Sequence, residues 1–549
     1  PITLTAQEKG RVFITGRSNL RIAGQHLVVS GLVFRDGHTP TSEVISFRRN
    51  KDDLAYHSRV TETVIDGFNN PERTETDYWV LMYGRNNRFD HNYLAGKSNN
   101  GVTMAVRLNA PENQQNHHRI DHNFFGPRPV LGSNGGETLR IGTSHFSLTD
   151  SFTIVENNWF ERCDGEVEII SSKSGKNEFR NNVFFESRGT LTLRHGNGNL
   201  VEGTVFLGNG VDHTGGIRVI NKRQVVRNNY LSGLRGYRFG SALTVMNGVP
   251  DSPINRYHQV EDVVIENNTI NDSDHIHLAA GSDAERSAVP LTTEFRNNLI
   301  HNSDGKDVFS VFDDISGITF TGNLLNEVAD PELTDGFTNT RVGLERAENG
   351  LMYPRVRRHQ EAGASRDLVV TQRETTGPLW YPKPDDGSGL GSGATNTLQP
   401  GPGVLENAAR DAGPGDVLEL APGNYTVAKT IRIDRPLTIR AAGGESEQGK
   451  PLIQFERNTL FEIAEGGALR IEGLHISGKS APDVAGNSLI RTSRYSMLGN
   501  YVLEVIDSRV TDLDVNHSFN FFTAAKSTFA DLIVIRDSEF SNITGAILG

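Results

Sequence analysis

The sequence predicts an all-β protein built from two parallel β-helices in tandem, on three observations. A degenerate apolar–polar–Asn–apolar unit recurs through the first two thirds of the chain at intervals suited to solenoid turns. Helical periodicity is nearly absent before Gly403. After a Pro/Gly/Ser-rich stretch, one short amphipathic segment then leads into renewed strand-like alternation.

The repeat comprises FDHNYL, IDHNFF, VENNWF, FRNNVFF, VEGTVF, VRNNYL, IENNTI, FRNNLI and FTGNLL, between Phe89 and Leu325. Aligned on the second polar position, these place Asn92, Asn123, Asn158, Asn182, Gly203, Asn229, Asn268, Asn298 and Asn323 in one column, at spacings of 31, 35, 24, 21, 26, 39, 30 and 25. The shorter spacings suit one β-helix turn, and the longer ones add loops between strands. Asn tolerates a left-handed bend and can hydrogen-bond along a stack of its own kind, which explains why it punctuates the repeat. A β-sandwich would instead show hairpin dipeptides and no fixed period.

In the second part, Val404, Leu405, Ala408, Ala409 and Ala412 fall on one helical face, followed by GPGDVLELAPGNYTV. This reads as a cap and first rung, since a solenoid end left open exposes unpaired edges. The composition shift around Tyr381–Gly403 marks a linker. The expected layout is a catalytic β-helix over 1–370, a linker over 371–400 and a non-catalytic β-helix over 401–549. The first β-helix begins directly in ITLTA with no such helix, so an N-terminal cap and a leader are expected to be missing from the sequence.

Composition narrows the function classes. The 549 residues carry 55 Lys+Arg against 67 Asp+Glu, a net charge of −12, which disfavours general nucleic-acid binding. One cysteine, Cys163, excludes a disulfide framework and reads as core filler. No apolar run approaches the roughly 18 residues of a membrane-spanning helix. His117, His118 and His122 imitate helical metal spacing but fall on a strand–turn, so they are expected to be ordinary histidines.

The chemistry concentrates between repeats, in DGEVEIISSK (Asp164–Lys173) and, one turn later, GTLTLRHGNG (Gly189–Gly198). In a strand, Glu166 and Glu168 face outward while Val167 and Ile169 face the core. Glu166 and Thr190 each lie 8 residues beyond their repeat Asn, and Glu168 and Thr192 lie 10 beyond, so these pairs are expected to stack. Lys173 precedes Arg194 by 21, about one rung, and Arg218 supplies an outward cation on the next. By themselves these charges could be a salt-bridged surface. GSNGGETLRIGTS (Gly132–Ser144) adds Asn134, whose carbonyl joins two glutamates in a hard-oxygen set suited to Ca²⁺.

NGGETLRIG, the EVE pair, Lys five residues beyond it and RHGN one rung later together resemble polysaccharide lyase family 6, over at least Trp79–Asn323. That family includes alginate lyases and chondroitinase B, on a right-handed parallel β-helix. The resemblance implies that Asn134, Glu166 and Glu168 hold Ca²⁺, that Lys173 is the Brønsted base and that Arg194 is the acid. A literal proton donation from Arg194 sits badly with guanidinium chemistry, so His195 or water remains open as the donor. Arg140, His195 and Arg218 are candidate binders of substrate carboxylates.

The expected function is a secreted or periplasmic lyase that cleaves alginate, preferably guluronate-rich, by Ca²⁺-assisted β-elimination. Competing readings are a dermatan sulfate lyase, a β-helix hydrolase with paired carboxylates, and a non-catalytic carbohydrate-binding β-helix. The second β-helix could brace the first, shape its groove or form a homodimer interface.

Overall fold

The computed structural model describes residues 2–384, 389–442 and 449–549. The chain divides into two compact units, Pro1–Lys383 and Pro384–Gly549.

In the first unit, short strands stack rung on rung into three parallel sheets of 12, 13 and 11 strands. Register is carried from rung to rung: Phe125, Phe160, Phe184 and Phe206 stack inside with ring centroids 4.6–4.7 Å apart. Such offset aromatic stacking adds to plain area burial. Cys163 packs in the same core, and burial pushes its thiol up to about 12.

The repeat asparagines divide two tasks that the sequence reading assigned to one residue. Asn92, Asn123, Asn158 and Asn182 are fully buried and form a ladder: the Asn123 amide donates to Asn158 Oδ1 at 3.0 Å, and the Asn158 amide to Asn182 Oδ1 at 3.0 Å. The left-handed bend belongs to the residue before each: His91, His122, Asn157 and Asn181, with φ of 51–53°. Gly203, with φ of 62°, takes this bend position opposite Asn181, so the alignment of Gly203 with the ladder is corrected by one residue. Thr204 fills the ladder position, and its backbone N–H donates to Asn229 Oδ1. His122 is one of the bend residues, and His118 is buried against the Asn87 amide.

Residues 371–383, expected in the linker, belong to the first unit. From about residue 351 the chain turns back and runs along the outer face of the 13-stranded sheet, rung by rung. Ala364 binds Thr269, Ser365 binds Asn228, Thr371 binds Asn181, Arg373 pairs with Glu161, Gly377 binds His122 and Tyr381 binds Asp66. Leu351, Tyr353, Ala364 and Leu368 cover Tyr93, Phe124, Trp159 and Tyr230 on that face. Apolar residues on this outward face need a cover, and the strap supplies it.

The second unit stacks parallel sheets of six, six and four strands. Its helix, Val404–Asp411, follows Gly403 at φ 71°, and Leu405, Ala409 and Ala412 enter the core of this unit as the periodicity predicts. No helix among the described residues is long and apolar enough to cross a membrane.

Candidate active site

The site lies on the 11-stranded sheet. One register row runs Arg140, Ser171, Thr192, Arg218, Thr244, so both arginines share a line across successive rungs. Irregularities on either side change the expected pairing. Glu168 pairs with Thr190, not Thr192, because the register shifts between Glu168 and Ile170. A second shift between Ser171 and Lys173 puts Lys173 opposite His195 rather than Arg194. Bulges of this kind re-aim side chains where a site needs them.

Glu166 is not in a strand. It lies in the bend ahead of Glu168–Lys173, so Val167 is 43% exposed instead of facing the core. The Glu166 carboxylate accepts backbone N–H groups of Gly135 and Gly136 at 3.0 and 3.1 Å, which brings it beside the exposed Asn134 loop. The two loops touch through glycines: a Cβ on Gly136 would meet Gly165 O at 2.3 Å. Beneath them the buried Arg128 guanidinium binds the carbonyls of Glu137, Gly101 and Gly135.

Six acidic and basic groups then interlock. Glu137 is buried; its Oε1 lies 2.6 Å from Arg140 and 3.8 Å from Lys173, and its Oε2 has no hydrogen-bond partner. Glu168 Oε1 lies 3.4 Å from Arg218 and 3.6 Å from Arg194. Lys173, Arg194 and Arg140 keep 18%, 16% and 19% of their side chains exposed, so they present the cationic surface of the site. Arg218 is almost wholly covered, held by Glu168, the Tyr257 hydroxyl and the Phe239 ring. His195 is fully buried, and neither ring nitrogen has a hydrogen-bond partner.

The electrostatics follow from burial and these neighbours. Burial, then Arg140, lower the Lys173 ammonium from its usual value, against Glu168 and Glu137, which raise it. Burial, the neighbouring Glu137 and then Glu168 push Glu166 up to about 7, against the two loop N–H groups. Burial, followed by Arg194 and Lys173, holds His195 down to about 2, so it is neutral.

No group of three His, Cys, Asp or Glu side chains among the described residues converges as a ready metal site. The donor chemistry nonetheless fits a hard cation. Asn134, Glu166 and Glu168 offer oxygen only, Glu137 Oε2 is buried without a partner, and the carboxylates near Glu166 repel its charge in a way a cation would relieve.

Glu137 and Tyr257 were not singled out by sequence. Glu137 stands three residues before Arg140 within the motif already noted. Tyr257 falls in the longest repeat interval, 229–268, where an inserted loop reaches back over the sheet.

The family model for chondroitinase B matches residues 1–363. The structure of the PL6 family alginate lyase AlyGC is 59% identical, covering 99% of this chain and 74% of that one, with a TM-score of 0.91. The chain belongs to polysaccharide lyase family 6. As a member of that family it is a polysaccharide lyase. An arginine-to-alanine mutant of AlyGC superposes with a TM-score of 0.93 at the same identity and coverage. A mannuronic acid specific family 6 lyase from human gut microbiota is 33% identical, covering 69% of this chain and 85% of that one, with a TM-score of 0.61. No curated protein matches.

Proposed function

We propose that this polysaccharide lyase cleaves alginate, guluronate-rich in preference, by β-elimination. The observation that carries the reaction type is Lys173, mostly buried and depressed by burial and Arg140, beside the partly exposed Arg194. A general base must be neutral to accept a proton, and a lysine becomes one at mild pH only when its surroundings disfavour the ammonium. The 59% identity to an alginate lyase supports the substrate. Preference for guluronate is the finer step, and the mannuronic acid specific relative is the reason to test both blocks.

In the proposed reaction Lys173 removes the proton at C5 of a uronate and the bond from C4 to its oxygen breaks, leaving a C4=C5 double bond. Arg194 holds its guanidinium charge toward the departing oxygen. Arg140 orients a substrate carboxylate while its pairing with Glu137 fixes its own direction. Asn134, Glu166 and Glu168 would hold Ca²⁺, which when bound would neutralise the substrate carboxylate and make the C5 proton more acidic.

Separate incubation with polyguluronate, polymannuronate and dermatan sulfate, followed by the absorbance of the unsaturated product, tests this. Fastest release from polyguluronate supports it in full. Rapid cleavage of dermatan sulfate with neither alginate block attacked overturns the substrate, and product without the unsaturated chromophore overturns the reaction.

A further inference from the structure

Glu166 is held by a peptide with little stiffness of its own. Gly135 and Gly136 are adjacent glycines outside any strand, and glycine has the most backbone freedom to lose. Yet both N–H groups converge on one oxygen, Glu166 Oε2. We propose that Arg128 is a positioning residue for Glu166: from beneath the loops it turns the Gly135–Gly136 peptide toward that carboxylate and so sets the affinity for Ca²⁺. This rests on the reading above that Asn134, Glu166 and Glu168 hold Ca²⁺.

The first observation behind it is where the guanidinium spends its donors. Nη1 donates to Glu137 O at 2.9 Å and to Thr103 Oγ1 at 3.1 Å. Nη2 donates to Gly101 O at 2.8 Å, to Asn99 O at 3.3 Å and to Gly135 O at 3.4 Å. The acceptors come from two successive loops, and the segment from Gly135 to Glu137 is gripped at both ends. The Gly135 carbonyl and the Gly136 N–H belong to one trans peptide, in which they point opposite ways. A pull on the oxygen from below therefore aims the hydrogen at Glu166.

The backbone of Arg128 reaches the other loop. Its N–H binds Arg162 O at 3.0 Å, and its carbonyl accepts the Asp164 N–H at 2.9 Å, two residues before Glu166. One residue thus holds the Glu166 turn with its main chain and the Asn134 loop with its side chain.

Charge is the third observation. Arg128 is buried, every side-chain partner just named is neutral, and among the described residues no carboxylate touches its guanidinium. A buried cation without an ion pair is costly, and a plain brace for carbonyls needs only neutral donors. Here the compensation comes from further away. Burial lowers the Arg128 pKa to about 10, while Glu137, Cys163 and Glu166, in that order, raise it. Arg128 stays charged at neutral pH, beneath the carboxylates whose repulsion acts on Glu166. A lysine here would keep the charge but not the planar fork, and three donors on one atom cannot serve five oxygens spread over two loops.

The test titrates substrate-free, chelator-stripped protein with Ca²⁺ alone by calorimetry, beside circular dichroism and melting temperature. Arg128→Lys is the main variant. Thr103→Val is the milder one, since it removes a single acceptor from the fork at nearly constant volume. The expected result is a Kd for Ca²⁺ raised about 10–100-fold in Arg128→Lys, and raised by a smaller factor in Thr103→Val, with parental circular dichroism in both. A lowered melting temperature with parental Ca²⁺ affinity would mean that Arg128 only braces the fold, and would overturn the assignment. Where Arg128→Lys does not fold, Thr103→Val decides by the same two outcomes. A parental protein that takes up no Ca²⁺ sinks the reading of the cation site, and this proposal with it.

Discussion

Glu137 and Lys173 stand 3.8 Å apart, both largely buried, with Arg140 on the same carboxylate. Burial has the largest effect on the protonation of the proposed base, and this contact adjusts it. Glu137 raises the Lys173 pKa while Arg140 lowers it. Removing the Glu137 charge should therefore move the acid limb of the kcat–pH profile to lower pH, since neutral Lys173 then persists further down. Glu137→Gln tests this; a limb that stays in place or moves up would remove Glu137 from control of the base.

Lys173→Ala and Arg194→Ala should each lower turnover by at least about 10²–10⁴-fold. Both side chains are partly exposed and neither fills the core, so circular dichroism and melting temperature should stay parental. A variant that keeps near-parental turnover loses its assigned role.

Glu166 is raised to about 7 by burial and by Glu137 and Glu168. A carboxyl with its folded pKa raised favours the folded state below its unfolded value and loses that advantage as pH rises through the folded one. In chelated protein this contribution should decline between about pH 4.5 and 7. Ca²⁺ or Glu166→Gln should each flatten that decline in thermal melts. Calorimetric titration should show weaker Ca²⁺ binding after Glu166→Gln, and Ca²⁺ should restore chelated activity better than Mg²⁺. Full activity after exhaustive chelation would exclude the cation from the reaction.

The two asparagines of a repeat should differ sharply in stability. Asn158→Ala strips partners from the Asn123 backbone and side-chain amides and from Ile120 O. Buried groups left unpaired cost about 1–3 kcal/mol each, so a loss of roughly 3–5 kcal/mol is expected by denaturant unfolding. Asn157→Gly, at φ 52°, should change stability by less than about 1 kcal/mol. Similar losses at both positions would contradict the division of labour.

A protein comprising only residues 384–549 should bind no Lys173-like chemistry and form no unsaturated product, because this unit has no EVE pair followed by Lys and then Arg one rung later. Product from that segment alone would contradict the assignment of catalysis to the first unit.

The solenoid was legible because its repeat is both apolar and regular, and Leu405 and Ala409 show that a 3.6 period survives in only two turns of helix. Lys173, Arg194 and Arg140 were legible as types at fixed spacing. Their pairing was not, since two bulges shift register by amounts that spacing from the repeat Asn cannot register. Val167 was misplaced because strand alternation was extended back into a bend. Tyr257 was hidden for a different reason: it reaches the site from an inserted loop, and a repeat says nothing about where its insertions fold. Likewise the strap over 371–383 has the Pro and Gly content of a linker, and only the apolar outer face of the sheet gives it something to grip.

That strap changes how the first unit must come apart. A stacked repeat with only neighbouring contacts can fray from its ends, each turn melting at its own local cost. Here Tyr381 binds Asp66, 315 residues earlier, and Thr371 binds Asn181, 190 earlier. The late chain is thus laced across the early turns, and fraying at either end must also strip this lacing. Loop closure over such separations is slow, so the strap can seat only after the turns it crosses exist. Unfolding should accordingly be a single steep transition for this unit, with the lacing as its last-fastened and first-released part.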